Sequence, residues 1–139
     1  MFQMASSFNG DLSSWDVSSV TYMSYMFMGA SSFNQSLDSW DVSSVTDMRN
    51  MFDHADSFNQ PLDSWNVSSV TNMEIMFSRS TSFNQPLNSW DVSSVTTMCS
   101  ILHIDGGFDT RGMFREALSF NQPLNSWNVS KFCTPLYHD

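Results

Sequence analysis

The stretch FNQPLDSWNVSSVT, residues 58–71, decides the fold, because the chain repeats it almost unchanged. Residues 33–46 read FNQSLDSWDVSSVT, and residues 83–96 read FNQPLNSWDVSSVT. Four tryptophans follow one another at intervals of 25 residues and a fifth comes 37 residues later, at Trp15, Trp40, Trp65, Trp90 and Trp127. A period of this length is typical of a solenoid, in which no single repeat can bury its apolar face alone.

Each repeat contains an apolar pattern that predicts a strand followed by a helix. In the third copy, residues 62–70 have the spacing L-x-x-W-x-V-x-x-V, which matches a leucine-rich repeat with Trp and Val in place of two leucines. Trp65 and Val67 alternate with polar residues, as in a half-buried strand. Met73, Met76 and Phe77 follow Val70 at offsets of three, six and seven, which is the spacing of one helical face. We therefore predict an α/β solenoid, leucine-rich-repeat-like, with one short parallel strand and one short helix in each repeat.

The remaining large apolar residues of the repeat are predicted to fill its interior. One phenylalanine in each copy should form an internal aromatic column, composed of Phe33, Phe58, Phe83 and Phe120. The methionines at two positions of each repeat could suggest a soft-metal or adaptable binding surface. Because they occur at helical spacing beside phenylalanine, we interpret them as core residues.

Composition and charge exclude several functional classes. The 139 residues include 41% hydrophobic and only 14% charged residues, with a net charge of −9 and five basic residues. This balance argues against binding to nucleic acid or to anionic lipid, both of which need clustered Lys and Arg. No apolar run approaches the roughly 20 residues of a membrane span. No partnered nucleophile, phosphate loop or metal-ligand spacing occurs, so we predict a protein that is not an enzyme and needs no cofactor.

The domain organisation follows from the repeats. We interpret residues 1–139 as a single repeat domain of about five repeats. Met1 and Phe2 occupy the repeat positions of Met26 and Phe27, so the chain starts inside a repeat. From this we expect a fragment of a longer solenoid.

The fourth copy contains an insertion at about 101–112, ILHIDGGFDTRG, which resembles nothing else in the chain. Three interpretations stay open: a loop bulging from the repeat, a sequence artefact such as a retained in-frame intron, and a functional loop that contacts a partner. The candidate contact residues of such a loop are His103, Asp105, Asp109 and Arg111.

Polar side chains on the predicted strand should form columns on the concave face. One column consists of Asp16, Asp41, Asn66, Asp91 and Asn128. A flanking column of serines includes Ser39, Ser64 and Ser89. Three interpretations are open: a solvated hydrogen-bonding ladder, a cation held between stacked carboxylates, and a shallow surface that recognises a protein or glycan.

The repeat W-[DN]-V-S-S-V-T-x-M-x-x-M-F, followed by A-x-S-F-N-Q-P-L, closely resembles the BspA-type leucine-rich-repeat family over nearly the whole chain. The resemblance implies a non-enzymatic, protein-binding role and a location at the cell surface or in the secreted fraction. Characterised members are associated with adhesion to host matrix or to other cells.

These observations favour an interaction or adhesion module whose Ser/Asp/Asn face, together with the inserted loop, contacts a protein or glycan ligand. The alternative is a structural spacer that self-associates through the uncapped ends of its solenoid.

Overall fold

The computed structural model describes residues 1–98 and 112–128. Over these residues the chain is a stack of 25-residue coils, in which each residue lies beside its equivalent in the neighbouring copies. A row of threonines shows the register: the Thr46 amide donates to the carbonyl of Thr21, and the Thr71 amide to that of Thr46, both at 2.8 Å. The Thr71 hydroxyl donates to the Thr46 carbonyl as well.

The predicted strand and helix of each repeat are not formed. The described residues contain no α-helix and no continuous strand. Their strand-like features are isolated bridges, which include the parallel pairs Tyr22–Asp47, Asp47–Asn72 and Asn72–Thr97. The α/β solenoid of leucine-rich-repeat type is therefore wrong for this chain. Residues 62–70, which contain the predicted strand around Trp65 and Val67, instead form two turns. These turns are closed by hydrogen bonds from the Trp65 amide to the Leu62 carbonyl and from the Val70 amide to the Val67 carbonyl.

Turns form in place of the predicted helix because the backbone amides donate to two different sets of carbonyls, some in the next copy and some within their own copy. In the second copy, four alternate amides donate to carbonyls of the next copy at 2.9 Å, namely those of Met48, Asn50, Phe52 and His54. The amides between them, from Met51, Asp53 and Ala55, donate to the carbonyl three residues back. No amide in this segment is left for the bonds to the fourth preceding carbonyl that a helix requires. The segment is thus a run of overlapping turns.

Two positions in each repeat have a left-handed backbone, which a right-handed helix cannot contain. The first position has φ of 53–61° at Tyr25, Asn50 and Ile75. The second has φ of 54–70° at Met4, Gly29, His54, Arg79 and Glu116. Each stands at the third position of a hydrogen-bonded turn in the described copies, the arrangement of a type II turn.

The core consists of aromatic rings stacked from copy to copy. The predicted phenylalanine column is confirmed: Phe33, Phe58 and Phe83 stack with centroids 5.9 and 6.0 Å apart. A second column beside it is formed by Phe2, Phe27, Phe52, Phe77 and Phe114, with spacings of 5.4–5.7 Å. Paired rings of the two columns lie 4.1–4.2 Å apart. Offset aromatic pairs of this kind each contribute about 0.5–1.5 kcal/mol beyond the area that they bury.

The buried tryptophans link each coil to the one before it. The indole Nε1 of Trp65 donates to the Leu37 carbonyl at 3.0 Å, and that of Trp90 to the Leu62 carbonyl at 2.9 Å. The interpretation of the methionines as core residues is confirmed, since they are buried at Met23, Met26, Met48, Met51, Met73, Met76, Met98 and Met113. Met1, at the Met26 position of the first copy, is 85% exposed.

Candidate interaction surface

The predicted polar column forms an exposed ridge. Its members, which we call the Asp/Asn ridge, are all exposed and occupy equivalent places in successive coils: Asp16, Asp41, Asn66, Asp91 and Asn128. Buried and exposed side chains alternate along this part of the chain, as the sequence predicted. For example, Trp65 and Val67, on either side of the exposed Asn66, are buried. The inward and outward assignment of these residues is therefore confirmed, although the backbone that presents them is not a strand.

The ridge residues Asp16, Asp41, Asn66 and Asp91 each hold the turn that follows them. The Oδ1 atom of Asp41 accepts hydrogen bonds from the Ser43 amide at 3.0 Å and from the Ser43 hydroxyl at 2.6 Å. Asn66 accepts the same two bonds from Ser68, at 3.1 and 2.7 Å. Aspartate and asparagine are interchangeable in this role because one side-chain oxygen supplies both acceptor positions. The turn thus explains why the D/N-x-S pattern is copied.

The same hydrogen bonds lower the pKa of two ridge aspartates, Asp16 and Asp41. The Ser18 hydroxyl, and then its amide, lower the pKa of Asp16, and Ser43 acts in the same way on Asp41. The charge of Asp16 opposes this shift weakly at Asp41, as expected for stacked carboxylates. At neutral pH the ridge therefore presents charge from its aspartates and neutral amides from its asparagines.

The serines beside the ridge bond to the neighbouring coil. The hydroxyls of Ser39 and Ser89 each donate at 2.9 Å to a carbonyl of the previous copy, at Ser13 and Asp63. The Ser64 hydroxyl donates at 2.5 Å to the carboxylate of Asp38. These predicted surface residues are exposed, and their hydroxyl protons are used within the stack.

A shallow depression of about 250 Å³ interrupts the ridge at the last junction between coils. It is lined by Trp90, Asp91, Val92, Ser93, Ser126 and Asn128. Its mixed polar and apolar lining is open to solvent, so it suits contact with a protruding group of a larger molecule better than enclosure of a substrate.

A second exposed region escaped the sequence analysis. We call it the varied ridge and define it as the residues of segments 22–31, 47–56, 72–81 and 113–118 that lie outside the hydrophobic core, where equivalent positions hold different residues. One such position is occupied by Tyr22, Asp47 and Asn72, another by Ser24, Arg49 and Glu74, and a third by Gly29, His54, Arg79 and Glu116. Comparing the copies with one another for differences, rather than for their shared pattern, would have revealed it.

The side chains of the varied ridge interact across coils. Arg79 Nε donates to Glu116 Oε2 at 2.9 Å, and Arg79 Nη1 lies 3.0 Å from His54 Nε2. The bond from Arg79 is the main cause that lowers the pKa of Glu116, and Arg115 Nε lies 3.3 Å from Glu116 Oε1. Every Lys and Arg residue within 1–98 and 112–128 belongs to this ridge, namely Arg49, Arg79 and Arg115.

The inserted segment leaves and rejoins the stack at one turn of the varied ridge. The Met113 amide donates to the Met98 carbonyl at 3.1 Å, which reproduces the bond from Met76 to Met73. Fourteen residues lie between Met98 and Met113, where the other copies have two. The candidate loop residues His103, Asp105, Asp109 and Arg111 lie outside the described residues.

Neither a metal centre nor a membrane span is found in the described part of the chain. No group of three His, Cys, Asp or Glu side chains there could hold a metal ion. Likewise, none of its segments is a helix long and apolar enough to cross a bilayer.

These features define a tandem-repeat protein whose coils stack through aromatic columns and interlocking turns. The chain belongs to the family described as Mycoplasma protein of unknown function, DUF285, whose model matches residues 1–111 and 103–135. No curated protein and no solved structure matches the chain.

Proposed function

We propose that this chain is a non-enzymatic protein-interaction module that binds through side chains displayed on its stacked coils. The observation that supports the proposal is the outward display of one polar residue per coil on the Asp/Asn ridge, held in register by the turns that Ser43 and Ser68 close. A repeated, pre-oriented array of acceptors can contact an extended surface at several points, so that weak individual contacts add up.

The finer role that we propose is adhesion by a secreted or surface-located protein. It rests on the resemblance of the repeat to BspA-type leucine-rich-repeat proteins, in a chain that does not share the strand and helix predicted from that pattern. Protein ligands fit the ridge better than nucleic acid or anionic lipid, because the net charge of −9 repels polyanions.

Binding of the purified chain to immobilised fibronectin and laminin tests this role. We expect saturable binding that weakens when Asp16, Asp41 and Asp91 are together replaced by Asn. Asparagine already stands at the equivalent positions Asn66 and Asn128, so these substitutions retain the Oδ1 acceptor that holds each turn. Failure of the wild-type chain to bind either protein would contradict the adhesive role. Unchanged binding by the triple variant would show that the charges of the Asp/Asn ridge do not contribute to the contact.

The alternative function is a structural spacer that self-associates through the ends of the stack. Its supporting observation is the first coil, where Trp15 is 40% exposed while the equivalent Trp40 and Trp65 are 3–4% exposed. Light scattering of the purified chain across concentration separates the two proposals. A mass that rises with concentration favours the spacer, whereas a constant monomer mass favours the interaction module.

A further inference from the structure

We propose that the varied ridge is the specificity-determining surface, and that its Tyr22–Tyr25–Arg49 patch binds a protein segment presenting a carboxylate beside an aromatic or other apolar side chain. The inference rests on the proposed role of the chain as a protein-interaction module. It assigns the choice of partner to residues other than those of the Asp/Asn ridge.

The first support is the distribution of differences among the copies. The turn-holding residues of the Asp/Asn ridge are Asp or Asn in every copy because Oδ1 caps a turn, so this ridge varies only between a carboxylate and an amide. Ser24, Arg49 and Glu74 occupy equivalent positions in successive coils, and their side chains are neutral, positive and negative, respectively. Specific recognition needs such a non-uniform surface, because binding affinities must differ between partners.

The second support is the position of the inserted segment. Its two ends meet where the Met113 amide bonds the Met98 carbonyl, at the turn that holds Tyr25 and Asn50 in other copies. Insertions in repeat proteins map to loops on one face, which is often the binding face. The side-chain differences and the insertion therefore identify the same part of the coil independently.

The third support is the chemistry of the patch itself. Tyr22 is 71% exposed and Tyr25 is 37% exposed, and the Arg49 guanidinium lies 5.8 Å from the Tyr25 ring centroid. Tyrosine and arginine are enriched among the residues that dominate binding energy at protein interfaces. Stacking on Tyr25 orients the Arg49 guanidinium and restricts its motion. Less side-chain conformational entropy is therefore lost when a partner binds.

The ligand chemistry follows from the donors of Arg49. Its Nε approaches Asp47 Oδ2 at only 3.5 Å, while Asp47 Oδ1 is held by the Arg49 amide at 3.0 Å. A guanidinium has five donors in a fixed fork that matches a carboxylate. A partner carboxylate would bond this fork while an adjacent apolar side chain covers Tyr22. Because the net charge of −9 repels a strongly acidic partner, the segment presents an isolated carboxylate instead of an acidic run.

A phage library of random 12-residue peptides, selected for binding to the full wild-type chain, tests the inference. The selected peptides are then measured against a varied-ridge variant with Tyr22→Asn, Tyr25→Asn and Arg49→Ser. Each new residue already stands at the equivalent position of another copy, at Asn72, Asn50 and Ser24, so the coil tolerates it. The matched control is the variant with Asp38→Asn and Asp63→Asn, which changes exposed residues outside both ridges to the residue present at the equivalent Asn88 and Asn125. Thermal melting verifies that both variants fold.

We expect enrichment of peptides containing Asp or Glu beside an aromatic or apolar residue. Their affinity should fall about tenfold or more on the varied-ridge variant, which corresponds to loss of a hot-spot contact, and should change less than about twofold on the control. Peptides that keep their affinity for the varied-ridge variant, but lose it when Asp16, Asp41 and Asp91 are replaced by Asn, would overturn the inference and leave the proposed function standing. Absence of any enriched peptide would contradict both.

Discussion

At the scale of single residues, the left-handed backbone positions impose different costs on different side chains. Asn50 accommodates φ of 53° readily, whereas Ile75 has the same conformation at 59° with a β-branched side chain. The left-handed region costs about 1–2 kcal/mol for an ordinary residue and less for Asn. The third copy is therefore strained at a position where the second copy is not.

Replacing Ile75 with Asn should increase the free energy of unfolding by about 1 kcal/mol, because the strained φ is relieved at a site that is only half-buried. Urea unfolding monitored by tryptophan fluorescence measures the change. The reciprocal substitution Asn50→Ile should reduce stability by a similar amount. A destabilised Ile75→Asn variant would show that burial of the isoleucine outweighs its backbone strain.

The pKa of a ridge aspartate depends on the hydrogen bonds that it accepts in its turn. The pKa of Asp41 is lowered by the Ser43 hydroxyl and amide, so its folded-state pKa lies below its unfolded value. A lowered pKa contributes stability that is complete above the unfolded value and is lost as pH falls through the folded value. Ser43→Ala should raise the pKa of Asp41 towards its ordinary value, as measured by carboxyl-carbon NMR titration. The same change at Ser68 is the control, because Asn66 does not titrate, and an unshifted Asp41 would contradict the assigned hydrogen bond.

At the scale of the structural element, an asparagine ladder joins the coils beside the phenylalanine column. The Oδ1 atom of Asn59 accepts the Asn84 amide at 2.9 Å and the Gln85 side-chain amide at 3.1 Å. Asn34 receives the equivalent bonds from the copy after it. Each ladder residue therefore satisfies a backbone donor that lies 25 residues along the chain.

Asn59→Ala should reduce the free energy of unfolding by about 2 kcal/mol, because the part-buried Asn84 amide loses its acceptor and the Gln85 side chain keeps only its 3.2 Å bond to the Asn59 carbonyl. Asn59→Asp should cost much less at neutral pH, since the acceptor oxygen remains. Asn121→Ala provides a matched control, because its Oδ1 accepts only a 3.5 Å contact from Gln122 among the described residues. Equal losses at the two sites, measured by chemical denaturation, would show that the ladder bonds contribute little.

At the scale of the whole molecule, stability depends on contacts between adjacent coils. Repeat proteins of this kind gain stability from nearest-neighbour interfaces, so a coil folds only against a neighbour. The fourth coil keeps this contact despite its insertion, because Phe77 still donates to Met113 at 2.8 Å, and Arg79 also bonds the carbonyl of Arg115. The extra residues therefore lengthen a turn without interrupting the stack.

Replacing residues 99–112 with Arg-Asn, the pair between Met48 and Met51, should leave the stack folded. The stability should rise by an amount on the order of 1–2 kcal/mol, because closing a two-residue turn costs less entropy than closing a 14-residue loop. Calorimetry of the shortened chain measures the change. Loss of a cooperative transition would show instead that the inserted segment supports the core.

The sequence by itself determined the period, the inward and outward faces, the phenylalanine column and the burial of the methionines. Those features follow from side-chain polarity, which is repeated at fixed positions such as Trp65, Val67 and Phe83. The tertiary structure alone decided the backbone. Apolar residues at offsets of three, six and seven fit a helix and a run of tight turns equally well, and only the carbonyls of the next coil select the turns.

The hydrogen bonds and ion pairs within each ridge were likewise decided by the tertiary structure and not by the order of residues along the chain. Asp41 and Asn66 were predicted as contact residues, and the structure shows that they also hold turns. The Arg79–Glu116 pair joins residues 37 positions apart and has no local signal, because it forms only when an interrupted copy returns to register. A sequence pattern specifies which residues are repeated, whereas the packing of neighbouring coils decides which of them meet.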